Sequence, residues 1–114
     1  MDPISASLIS KALDGLHLRA AVIAENIANS NSIGFQPRGV AFEQELRAAA
    51  SQGLKAINDS PAKIMPLSDE LGDRAVRLDM EMAEAARTST RYAALIDILG
   101  RQMQIERTAI RGGQ

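Results

Sequence analysis

One histidine, His17, and no cysteine set the outer limits of the chemistry this chain can do. A lone imidazole with no thiolate beside it makes neither a metal cluster nor a nucleophile–base pair, so His17, next to the apolar Leu16, reads as a partly exposed helical residue. The missing cysteines exclude disulfides, thiolate catalysis and Cys-ligated metals, and they fit any compartment. Asp79, Glu81 and Glu84 are close enough in sequence to hold a cation. Capping and dipole matching at a helix start account for them more cheaply. Asp69 and Glu70 have no basic or metal-ligating companion. Gly34 and Gly39 fit neither G-x-x-x-x-G-K-[ST] nor G-x-G-x-x-G, so no phosphate loop is expected. Nothing here converges on a catalytic, cofactor or metal site, and an enzyme is not expected.

The charges are balanced rather than clustered. The formal net charge is −1, which argues against a nucleic-acid binder that must neutralise phosphates and against a polybasic membrane anchor. Arg87, Arg91, Arg101, Arg107 and Arg111 crowd the last third, but Glu81, Glu84, Asp97 and Glu106 interleave with them. Asp97 and Arg101 are four apart, a favourable helix pair. The face they make is either solvated or a charged flank that steers helix register between subunits. Met80, Met82 and Met103 read as packing residues rather than a cofactor box.

The elements that must position these residues are mostly helical. Hydrophobic residues make up 46% of the chain but aromatics only 3% (Phe35, Phe42 and Tyr92). Apolar surface of the Ala, Leu, Ile and Met kind suits long helices packed along seams better than a rounded core of large rings. Asp2 is placed to cap a first helix with Pro3 at its first position. Ile9, Leu13, Leu16, Ala20, Ile23 and Ile27 then follow a 4-3-4-3-4 spacing, an apolar heptad seam. The run Asn29-Ser30-Asn31-Ser32 and Gly34 end it. A second seam opens near Asp79 as N-cap and runs Met82, Ala85, Ser89, Tyr92, Ile96, Leu99, Met103, Glu106 and Ile110, polar at Ser89 and Glu106. Arg107 and Arg111 suit its last turns, and Gly112-Gly113 ends it. Helices of about 25 to 33 residues would reach roughly 38 to 50 Å.

The expected fold class is all-α: two long terminal helices in an antiparallel coiled-coil-like hairpin, joined by a largely irregular connector. The N-terminal helix takes residues 1–31, the connector 32–75 and the C-terminal helix 76–114. Within the connector a short amphipathic helix is expected at 41–50, with Phe42, Leu46 and Ala49 on one side. The stretch 51–73, with Gly53, Pro61, Pro66 and Gly72, reads as a connector that is either mobile or ordered by a partner. A two-helix hairpin alone has little core. Ile4, Leu8, Val22, Leu95 and Ile105 widen the apolar surface beyond the seams, so helices of other chains are expected to pack there. No apolar run approaches the roughly 20 residues of a transmembrane helix. The first residues lack the basic and apolar regions of a secretory signal. Export, if it occurs, needs another route.

Two motifs carry a resemblance. Asn26-Ile27-Ala28-Asn29-Ser30-Asn31-Ser32-Ile33-Gly34-Phe35 resembles the N-I-A-N-x-x-T-P-G-[YF] signature of flagellar rod, hook and hook-associated proteins. Ser32 and Ile33 replace the usual Thr and Pro. Val76-Arg77-Leu78-Asp79-Met80-Glu81-Met82-Ala83 is similar to the V-D-L-D-x-E-M-A of proximal rod proteins, with Arg77 in place of an acid. The likeness continues through Arg91-Tyr92-Ala93-Ala94 to Thr108-Ala109-Ile110-Arg111-Gly112-Gly113. On these residues the chain resembles the flagellar basal-body rod protein family, over somewhat more than half its length. Asn26, Ile27, Ala28, Asn29, Gly34, Phe35, Asp79, Glu81 and Met82 are the motif positions. The resemblance implies a structural subunit of the periplasmic rod, exported through the flagellar type III gate without a cleaved signal and helping to transmit torque. It implies contacts with the adaptor FliE, the MS ring, other rod proteins and further copies of itself, and no cofactor or nucleic acid. The residues alone leave a different class open: a free-standing helical adaptor or export-associated chaperone that binds through one seam.

Overall fold

The computed structural model describes residues 1–67 and 77–112. Asp69, Glu70, Gly72, Val76 and Gly113 lie outside the described residues. Six elements follow in order: α1 (Pro3–Ala28), β1 (Arg38–Ala41), α2 (Glu43–Ala50), α3 (Leu54–Asp59), β2 (Lys63–Pro66) and α4 (Leu78–Gly112). The molecule is elongated, 64 × 27 × 17 Å, because α4 alone has 35 residues and a helix rises about 1.5 Å per residue.

Local chemistry sets the ends of α1. An Asp2 carboxylate oxygen accepts the Ser5 backbone N–H at 2.8 Å, and its other oxygen accepts the Ser5 hydroxyl at 3.0 Å. Those donors, the backbone N–H first, hold the Asp2 carboxyl below its ordinary pKa. Pro3 occupies the start of the helix, where a missing N–H costs nothing. At the other end Asn29 caps the helix, and Gly34 turns the chain with φ +79°, a conformation that side chains with a Cβ resist.

α1 and α4 lie side by side and run in opposite directions. The Met1 amino group meets the Glu106 carboxylate at one end, and Asn26 meets Glu81 at the other. The molecule is therefore mostly helical, with a long helix at each end.

The connector corrects the all-α expectation. β1 and β2 pair antiparallel, Arg38 opposite Pro66 and Ala41 opposite Lys63, and Leu67 N–H extends the ladder to the Pro37 carbonyl at 3.1 Å. Four-residue strands carrying Gly39 and Pro66 show no clear alternation. Their second reason to exist is tertiary. Arg38 donates its N–H to the Asn26 side-chain oxygen and accepts from the Asn26 amide, while the Val40 carbonyl accepts from Arg19. Side chains of α1 thus occupy the free edge of β1, which answers the need of buried backbone groups for partners. The segment 41–50 forms its short helix from Glu43, and Phe42, Leu46 and Ala49 are buried as their spacing predicts.

The core sits on one flank of the helix pair. Leu16 and Val22 of α1 meet Val40, Phe42, Leu46, Ala49 and Ile57. Phe42 lies against α1 at Gly15, where a Cβ would come within 2.5 Å of the ring. Only glycine admits the ring so near the helix backbone. Burial of this kind contributes about 25 cal/mol per Å² of apolar area.

Candidate assembly interface

Asn26 is the most deeply buried polar side chain among the described residues. It is 0% exposed. Its side-chain N–H₂ donates to the Arg38 carbonyl at 2.8 Å and to the Glu81 carboxylate at 3.1 Å, and its oxygen accepts the Arg38 N–H at 3.0 Å. A buried amide without partners would cost a few kcal/mol, on the order of its full desolvation. The site therefore ties three elements together: the end of α1, the start of β1 and the first turn of α4. Asn26 and Glu81 come from the two separate motifs, so the fold brings those motifs into one hydrogen-bonded contact.

Seven residues earlier on α1 stands a second junction. Arg19 donates from both terminal nitrogens to the two Glu43 oxygens, at 2.7 and 2.5 Å, and also to the Val40 carbonyl at 2.8 Å. Its guanidinium lies 4.9 Å from the centre of the Phe42 ring. A bidentate fork of this sort is the stronger class of ion pair, and the face of the ring adds cation–π attraction. The Arg19 hydrogen bond holds the Glu43 carboxyl below its ordinary pKa, against the opposing effect of burial. Arg91 of α4 adds a longer ion pair to Glu43 at 3.7 Å. Arg19 has no role in the sequence reading. Its one signal is its position between the seam residues Leu16 and Ile23.

The line of α4 that packs on α1 differs from the seam expected for it. Glu81 and Thr88 are buried, and Ala85, Leu95, Leu99 and Gln102 are half-buried. Of the expected seam, Met82, Tyr92, Ile96, Met103 and Ile110 are exposed, Ile110 at 68%. The apolar arc of α4 is wide, and these seam residues lie on the part of it that the monomer leaves uncovered. The docked line is decided by Asn26, which needs an acceptor and finds Glu81. On α1, Leu16 and Ile23 are buried, Ile9, Leu13 and Ile27 half-buried, and Ala20 exposed. Asp79 lies within the first turn of α4, which begins at Leu78, and stays exposed. Ala28 is exposed and Phe35 half-buried at the turn.

The two flanks of the helix pair are unequal. One is covered by β1, α2 and α3. On the other, a groove of about 410 Å³ opens between α1 and α4, walled by Ala20, Ala24 and Ile27 on one side and Ala85, Ser89, Tyr92 and Ala93 on the other. His17 and Tyr92 line it, with no carboxylate, lysine or arginine among the lining residues. Among the described residues no three His, Asp or Glu side chains gather as a metal site would require, and no helix is long and apolar enough to cross a membrane. The arrangement is that of a packing surface: a folded flank, an open apolar flank and polar junctions that hold the two helices in register.

No family model matches the chain, and no curated protein matches it.

Proposed function

We propose that this chain is a structural subunit of the proximal rod of the bacterial flagellar basal body, of the FlgB type. In this reading it reaches the periplasmic rod by type III export without a cleaved signal. It packs helically through its paired terminal helices, in a coiled-coil-like manner, and helps carry torque from rotor to hook. Its neighbours would be other rod proteins, the adaptor FliE, the MS ring and the export gate. No catalysis and no cofactor belong to the proposal. One observation carries it: the two stretches that resemble the flagellar motifs, 55 positions apart at Asn26 and Glu81, meet in a buried hydrogen bond and leave an apolar flank open beside it. A part that transmits torque needs many packed contacts in parallel. Contacts that do not close on themselves build helical assemblies.

The test is genetic and structural. Ile96 and Met103 are exposed, so Ile96→Asp or Met103→Asp spares the monomer and places an unpaired charge in any helix contact, which is costly. Cells of the source bacterium carrying either variant should export the protein yet lack rods and not swim. Motile cells with normal basal bodies would sink the proposal. The open groove favours one other reading, a helical adaptor or export-associated chaperone holding a partner's helix. Such a protein would be recovered outside isolated basal bodies, bound to its client.

A further inference from the structure

The open flank is not uniform along its length. At one end, where α1 and α4 lie against each other around Ala20 and Ser89, small side chains leave the groove. Toward the far end of α4 the same heptad line carries bulk: after Met82 and Ser89 come Ile96, Met103 and Ile110, the last three all exposed. One face of one molecule therefore holds both a socket and a ridge. Helices pack by setting the ridge of one into the groove of another.

The charges beside this face differ in the same sense. Asp14 is exposed one turn before His17, and His17 lines the groove. Arg107 and Arg111, both exposed, flank the ridge. Set Met103 of a second copy between Ala85 and Ser89, with both α4 helices pointing the same way. The shift is about 16 residues, roughly 24 Å along the axis. Arg107 and Arg111 of that copy then come level with the stretch of α1 that holds Asp14, because α1 runs opposite to α4. With the reverse polarity they move away from Asp14.

We infer that the groove receives the Met103–Ile110 ridge of a second copy of this chain, polarity preserved, with Arg107 and Arg111 seated against Asp14. The contact is heterologous: each copy offers a ridge at one end and a groove at the other, so the assembly stays open and grows along the helix axis. This rests on the proposed function only in taking another copy as the occupant. It adds the face, the direction and the stagger.

Two variants of exposed residues separate the halves of the contact. Ala20→Trp with Ser89→Trp fills the groove. Met103→Asp with Ile110→Asp removes the ridge. Helical content by circular dichroism should match the parent chain for both. In sedimentation velocity over rising concentration, the parent chain should form a series of oligomers and each variant alone should stay monomeric. A mixture of the two should stop at the heterodimer, since only one intact ridge and one intact groove remain per pair. A monomeric mixture, a parent chain that never associates, or a variant that still dimerises alone would each overturn the inference. A charge test fixes the polarity: Arg107→Glu with Arg111→Glu in the ridge donor should weaken the heterodimer by about three- to tenfold, and Asp14→Arg in the groove donor should restore it. No restoration would overturn the parallel seating. Loss of rods in Ile96→Asp cells alongside a failed heterodimer would discard this stagger and keep the rod reading. A heterodimer in vitro from a protein whose deletion leaves cells motile would do the reverse.

Discussion

The two flanks of the α1–α4 pair are built from similar residues and end in opposite states. On the covered flank, Phe42, Leu46 and Ile57 close over α1, and Ile57 is 0% exposed. On the open flank, alanines and a line of isoleucine and methionine face solvent. Apolar content does not separate them, since both are rich in Ala, Ile and Leu. What separates them is a set of polar anchors. Arg19 and Asn26 bind the backbone of β1 and the Glu43 carboxylate, and so fold the connector onto one side only. Hydrophobic burial is non-directional; the directed bonds decide which flank it occupies.

This comparison breaks most easily at the covered flank. Phe42→Ala should cost about 3–5 kcal/mol and remove most of the cooperative urea transition, since Phe42 joins α1, β1 and α2. Asn26→Leu comes next, at about 3 kcal/mol, because it strands the Arg38 backbone groups and leaves Glu81 buried without its donor. Adding Glu81→Leu should recover part of that loss, as removing both members of a buried polar pair often does. A double variant no more stable than Asn26→Leu would show that the two residues act separately. Gly15→Ala should destabilise by about 1–3 kcal/mol, although alanine favours helices, because the new Cβ meets the Phe42 ring. A gain in melting temperature would show that the ring can move aside.

The smaller effects sharpen the contrast. The Glu43 carboxyl sits below its ordinary pKa in the folded chain. Its contribution is thus present above the ordinary carboxylate range and fades as pH falls from there through the lowered folded value. Parent and Glu43→Gln chains should differ most near neutral pH and converge in acid. The difference should be on the order of 1 kcal/mol, because the Glu43 carboxylate is partly solvated. Ile96→Ala on the open flank should change monomer stability by no more than about 0.5 kcal/mol. A loss of several kcal/mol would mean that Ile96 is packed within the monomer.

Much of the fold was legible in the residues because local rules govern it. Asp2-Pro3 starts α1 by capping, Gly34 supplies the turn, and the spacing of Phe42, Leu46 and Ala49 marks the buried side of α2. The sheet was not legible, since Arg38–Ala41 and Lys63–Pro66 are too short to show a period. Of the candidate interface, the first seam divides in the monomer: Leu16 and Ile23 are buried, whereas Ala20 faces the groove. Of the second, Ala85 and Leu99 are half-buried in the monomer, and the buried Glu81 and Thr88 beside them lie off its spacing. A glutamate in the first turn of a helix looks like dipole matching, and nothing nearby in sequence says that an asparagine 55 positions away will need it.

By itself the sequence determined where the long helices lie, how the first of them begins and ends, and that apolar stripes run along both. Those are properties of near neighbours, carried by capping groups, glycine and the 3.6-residue period. Only the tertiary structure decided which stripe of α4 docks, which flank the connector covers, and that Arg19 and Asn26 are the residues that choose. The physical reason is that a heptad pattern fixes a face only to within its apolar arc. Buried hydrogen bonds, whose donors and acceptors come from distant parts of the chain, pick one line within that arc by leaving every other with an unpaired polar group.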